Sequence, residues 1–162
     1  MVSLGQVHFA LALAAIVAGA AVVGMKKGTG VHRLVGFAYA LTMFGVLGTA
    51  MLIYNLTGEF GPFHVLALVS LVTIISGVVP VLLRKPRGGW VELHAYFMSW
   101  SYVGLLAAAA SETLTRVPET PFWWGVVVAS TVVVFVGAWF IYRNVPRILR
   151  TEFPNYRNPS RT

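Results

Sequence analysis

The sequence predicts an all-α integral membrane protein of five transmembrane helices, with the N-terminus outside and the C-terminus inside. Three observations carry this reading. Apolar residues make up 57% of the 162 residues and charged residues 10%, against roughly 45–50% and about 25% in soluble domains. Five stretches reach the length of about 20 mostly apolar residues that a membrane-crossing helix needs. The basic residues, Arg116 excepted, fall in alternate loops and the tail, and loops rich in Lys and Arg stay cytoplasmic.

The first stretch is Gln6–Met25, Ala-rich and free of charge. It lacks a basic leader, and Lys26 and Lys27 come after it. That order favours an uncleaved span over a signal peptide. The second stretch, Val31–Leu56, is long enough to tilt. The third is Pro62–Leu83, with proline at the helix start where its missing N–H costs nothing. Pro80 falls in its last turn and is expected to kink or end it. The fourth is Trp90–Leu114, with Glu92 in its first turn. The fifth, Pro121–Tyr142, has Phe122, Trp123 and Trp124 at one end and Trp139, Phe140 and Tyr142 at the other, where interfacial aromatic belts are expected. Gly28 and Gly58 follow helix ends, a position that favours glycine.

The first loop carries Lys26, Lys27 and Arg33, the third Arg84, Lys85 and Arg87, and the tail Arg143 and the arginines beyond it. The opposite side holds Arg116 with Glu59, Glu112 and Glu119. The net charge of +7 is therefore topological, and a nucleic-acid partner is excluded. Residues 1–145 read as one transmembrane domain and 146–162 as a basic cytoplasmic tail, polar and loosely ordered from about Thr151. The sequon Asn55-Leu56-Thr57 lies on the outer side. The spacings Ala10-Ala14-Ala18 and Ala20-Gly24 permit close helix packing, within the bundle or in an oligomer.

Several chemistries are excluded. The chain has no Cys, hence no disulfide, thiolate ligand or Cys nucleophile. It has no P-loop, paired carboxylate or nucleophile motif. No inverted repeat of broken helices suggests a transporter.

Each of the first four helices has one histidine near its N-terminal end: His8, His32, His64 and His94. Alternate helices run in opposite directions. His8 and His64 therefore share the outer layer, and His32 and His94 the inner one. Ionisable residues at membrane depth are costly and mark function. Two imidazoles on facing helices are what a six-coordinate b-type haem iron takes as axial ligands, and helix bundles build such sites from inward side chains. The sequence thus predicts a four-helix cofactor-binding bundle with two haems b, the outer one less well provided for. Ala12, Gly36 and Ala67 leave room beside three of the histidines, and Phe97 and Met98 follow the fourth. Inside, Arg33, Lys26 and Arg84 are available for haem propionates. Outside there is Arg116, helped by Gln6, Tyr54 and Asn55. Tyr39 lies on the face of His32 two turns deeper, placed to hydrogen-bond a cofactor or a neighbouring helix.

Other readings of these residues stay open. The four histidines are also candidate ligands for Zn, Cu or Fe. His32, His94 and Glu92 would make a two-His, one-carboxylate set, although Glu92 and His94 point to different faces of one helix. His94 and Met98 share a face and suit copper, or Met98 is a core residue filling a gap. Interfacial or structural histidines are the alternative to any cofactor.

Two resemblances follow from these residues. Lys27-Gly28-Thr29 with His32-Arg33, Gly36 and Tyr39, then Gly61-Pro62-Phe63-His64, then Trp90 through His94 and Met98 resemble an uncharacterised family of bacterial membrane proteins, a domain of unknown function (DUF 2306). That resemblance implies a multi-pass protein of the bacterial inner (plasma) membrane and no established reaction. More remotely, the pairing of His8 with His64 and His32 with His94 is similar to the alternation in the cytochrome b561 type of di-haem protein. It implies transmembrane electron transfer, standalone or as a membrane subunit of a redox complex, with partner subunits, a quinol or a small reductant as redox partner. The histidines here sit nearer the helix ends than in that type, and a fifth helix follows. The alternative functions are a non-catalytic accessory or assembly subunit and a metal-handling membrane protein.

Overall fold

A computed structural model describes residues 3–54, 58–119 and 121–154. Five α-helices follow one another: α1 (Leu4–Gly24), α2 (Gly30–Ala50), α3 (Pro62–Leu83), α4 (Trp90–Leu114) and α5 (Phe122–Glu152). There is no strand among the described residues. α1, α2, α3 and α5 are long and apolar enough to cross a membrane. α4 has 25 residues, with Glu92 and Glu112 near its two ends, and is not among these four.

α3 and α4 begin and end where the apolar pattern places them. α2 and α5 differ. α2 stops at Ala50, six residues before Leu56. Leu52 N–H bonds to Thr49 O and Ile53 N–H to Ala50 O, so short turns close the helix. Gly58 takes φ +73° but lies eight residues past the end of α2, so it turns the loop and does not end the helix as expected. α5 runs on past Tyr142 to Glu152 and through Pro146. The apolar run ends at Tyr142, but the helix does not. Its 31 residues span about 46 Å at 1.5 Å each, against a hydrocarbon core of about 30 Å. Residues 146–152 of the expected tail are therefore helical. Residues 155–162 and the sequon Asn55-Leu56-Thr57 lie outside the described residues.

The chain divides into two units, Met1–Leu71 and Val72–Thr162. The boundary falls inside α3.

In the first unit α1 and α2 pack antiparallel, with His8 beside Thr49 and Leu11 on Gly45. A Cβ on Gly45 would come within 3.0 Å of Leu11, so the glycine sets the approach. α1 buries Ala15 and Gly19. That is a small-residue pair one helix face away from the expected Ala10-Ala14-Ala18, of which Ala10 and Ala14 stay exposed. α2 buries Tyr39, Met43, Val46 and Leu47, a stripe at helical spacing.

The corner between α1 and α2 is built by the residues Lys27-Gly28-Thr29. Lys27 Nζ donates to the carbonyls of Val22, Val23 and Met25 at 2.7–2.9 Å, closing the α1 C-terminus. Gly28 takes φ +73°. Thr29 is the N-cap of α2, its Oγ1 accepting from His32 N–H at 3.1 Å.

In the second unit α4 and α5 pack antiparallel in one long register: Thr115 on Gly125, Val103 on Gly137, Tyr96 by Tyr142. Ser111 Oγ donates to Val126 O at 3.3 Å and lies 2.9 Å from Ser130 Oγ, polar contacts of the kind that join helices in lipid. The second part of α3 carries Pro80 inside the helix and ends three residues later at Leu83. Arg84 follows with φ +50°, the left-handed conformation that ends helices and that few side chains tolerate.

Candidate functional site

The four histidines occur in four different local settings, and their hydrogen bonds fix which ring nitrogen carries the proton in three of them. His8 Nδ1 lies 2.8 Å from Thr49 Oγ1. The Thr49 hydroxyl already donates to the carbonyls of Gly45 and Val46, at 2.8 and 3.0 Å. With its one proton turned to these carbonyls, the hydroxyl accepts from His8, whose proton is then on Nδ1 and whose lone pair is on Nε2.

His94 Nδ1 lies 2.9 Å from Gly77 O. A carbonyl only accepts, so this proton is on Nδ1 as well. The contact exists because residue 77 has no side chain. A Cβ there would stand 2.7 Å from Met98 Sδ and 3.1 Å from the Met98 backbone nitrogen. His94 and Met98, one turn apart, thus close on one glycine. Met98 fills the gap against Gly77, the core role weighed for it above.

His64 is the reverse case. It is the third residue of α3, and its Nδ1 accepts from Gly61 N–H at 3.1 Å. Its own N–H donates to Gly61 O at 3.0 Å. This is one half of a capping box, with histidine where Glu or Gln usually stands, while Gly61 offers its backbone carbonyl in place of a capping side chain. Because Nδ1 accepts, the neutral ring carries its proton on Nε2. That atom is buried without a partner, in a residue only 4% exposed. Tyr54 and Phe60 pack on the ring, at centroid distances of 4.7 and 5.0 Å.

His32 is half-buried on the first turn of α2, with its backbone N–H taken by the Thr29 cap. His8, His32 and His64 lie in the first unit and His94 in the second. Tyr39 is buried, at 2% exposure, among the core residues of α2. Arg33 is exposed one residue after His32.

The groups expected to serve an outer propionate have other roles. Gln6 closes a capping box with Ser3. Tyr54 covers His64. Arg116 forms an ion pair with Glu112 one turn back on α4. Asn55 lies outside the described residues. Lys26, Arg33 and Arg84, expected to serve an inner propionate, are exposed. Among the described residues, no three His, Asp or Glu gather into a group able to hold a metal ion.

Sequence reasoning missed the capping role of His64. The signal was Gly61-x-x-His64, an N-cap-to-third-residue spacing that is easily passed over because histidine is not the usual partner. It also missed Thr49, which needs the antiparallel α1–α2 pairing to bring it to His8.

These elements define a class: a helical, multi-pass membrane protein. The chain belongs to the family described as predicted membrane protein (DUF2306), whose model matches residues 5–150. No curated protein and no solved structure matches it. The likeness to cytochrome b561 therefore rests on the histidine pattern alone.

Proposed function

We propose that this protein is a membrane electron carrier that holds one b-type haem, with His94 as an axial ligand. The observation that carries the reading is the His94 Nδ1 contact with Gly77 O. Ligating histidines characteristically donate their second ring N–H to a carbonyl or carboxylate, which fixes the tautomer and raises the basicity of the ligating nitrogen. Gly77 supplies that carbonyl, and the close approach it permits holds the ring. The second ligand expected from the sequence is His32, with Arg33 and Tyr39 on the same helix as propionate and hydrogen-bond partners. A haem held between imidazoles supplies one-electron transfer.

The outer layer fits less well. His8 offers a lone pair on Nε2, but His64 offers an N–H. Turning His64 into a ligand would require a proton on Nδ1, facing the Gly61 N–H, at the expense of the α3 cap. The proposal accordingly keeps one haem of the two expected. We read all five helices as crossing the bacterial inner membrane, N-terminus outside. α4 is about 37 Å long at 1.5 Å per residue and carries its two carboxylates near its ends, which suits a crossing helix.

A second reading has an observation of its own. His64 caps α3 through Nδ1, and histidines that cap and hydrogen-bond suit an accessory subunit. Reduced-minus-oxidised spectra of protein made with ample haem separate the two. The electron-carrier reading expects a b-type band that His94→Ala removes and His64→Ala leaves. A band unchanged in His94→Ala overturns it.

A further inference from the structure

The exposed face of α5 changes chemistry in one direction. Ile141, Val145 and Leu149 form its buried stripe, packed with Val91 and Val103 of α4. The other side is exposed. Along it come Phe135 at 71% and Val136 at 51%, then Trp139 at 56%, then Arg143, Arg147 and Arg150, all exposed. Residues three and four apart share a helix face, so Phe135, Trp139, Arg143, Arg147 and Arg150 make one stripe. It is about 22 Å long at 1.5 Å per residue. The Arg143 guanidinium stands over the Trp139 ring, 5.3 Å from its centroid.

Apolar, aromatic, then cationic is the order met along a phospholipid from acyl chain to headgroup. We infer that this stripe binds an anionic phospholipid, its chain along Phe135 and Val136 and its phosphate between Arg143 and Arg147. Arg150 lies one turn further, level with the headgroup substituent.

Three features select an anionic lipid rather than a plain topological anchor. The stripe uses arginine throughout, whose planar fork binds phosphate oxygens in pairs. Topology counts Lys and Arg alike, and the loops of this chain mix Lys26, Lys27 and Lys85 with Arg33, Arg84 and Arg87 for it, whereas the stripe carries no lysine. Packing on α4 leaves Leu149 3% and Val145 6% exposed, so the arginines are presented by a helix already fixed in place. Glu152, the nearest acid along α5, follows Arg150 by two residues and so stands on a different face of the helix.

Quenching of Trp139 by brominated lipid tests this in phosphatidylcholine vesicles. The Trp139 contribution is isolated by subtracting Trp139→Phe protein. Brominated phosphatidylglycerol should quench at a far lower mole fraction than brominated phosphatidylcholine, on the order of fivefold for each arginine engaged and so about a hundredfold for all three. Arg147→Gln alone should reduce the preference by about fivefold, and R143Q/R147Q/R150Q should erase it. The loop variant K26Q/K85Q/R87Q removes the same charge elsewhere and should keep it. Equal quenching by both lipids in the parent protein overturns the inference. So does a preference that survives in the stripe variant, or one lost equally in the loop variant. Loss of the preference in millimolar inorganic phosphate would mark a phosphate site and would also overturn it.

Discussion

His94 donates its Nδ1 proton to the carbonyl of Gly77, 2.9 Å away, and Met98 closes over the same glycine one turn later. Adding a single methyl group at position 77 should disturb both. Gly77→Ala places a Cβ 2.7 Å from Met98 Sδ. Overpacking of this kind costs about 1–3 kcal/mol, to be read as a lower unfolding midpoint in detergent. Met98→Ala in the same chain vacates the contested space and should restore part of the loss. A Gly77→Ala protein as stable as its parent would show that this approach is not tight.

His64 gives a contrast between two substitutions. Gln at the third helical position can accept the Gly61 N–H as in an ordinary capping box, and Ala cannot. His64→Ala should cost about 1 kcal/mol, the usual penalty for a lost cap, and His64→Gln much less. Thermal unfolding of the two variants side by side measures this. Equal losses would mean that the ring's packing against Tyr54 and Phe60, not the cap, is what matters.

Thr49 accepts from His8 while donating to its own helix. Thr49→Val keeps the shape and removes the acceptor, leaving a half-buried imidazole N–H unmatched, at a cost of about 1 kcal/mol. Thr49→Ser should retain the bond. If Ser and Val variants unfold alike, the hydroxyl is not the partner that fixes the His8 tautomer.

Much of this architecture was legible in the chain. Pro62 and Leu83, Trp90 and Leu114 bound apolar runs whose ends coincide with helix ends, so α3 and α4 could be drawn from hydropathy. α5 could not, because Arg143 ends the apolar run while Ile141, Val145 and Leu149 continue a buried stripe against Val91. Hydropathy reports the solvent, whereas the helix follows its packing. The histidines were legible as a set, but their roles were not. Which ring nitrogen of His8, His64 or His94 carries the proton depends on Thr49, Gly61 and Gly77. Two of those partners lie a helix away in sequence, and the third acts through a cap that usually takes Glu or Gln.

The number of crossings is open to a direct check. Five spans put the two termini on opposite faces of the membrane, and four put them on the same face. Tags at each end, probed by protease in intact and opened inner-membrane vesicles, should be cleaved under different conditions. Identical protection of both tags would show that α4 does not cross.

The central claim is a haem held through His94, and haem stoichiometry tests it most directly. Pyridine haemochrome assay with protein determination, on protein purified from haem-replete cells, should give about one haem b per chain and nearly none for His94→Ala. A parent protein without haem would contradict the account and leave the histidines as structural residues of a membrane subunit.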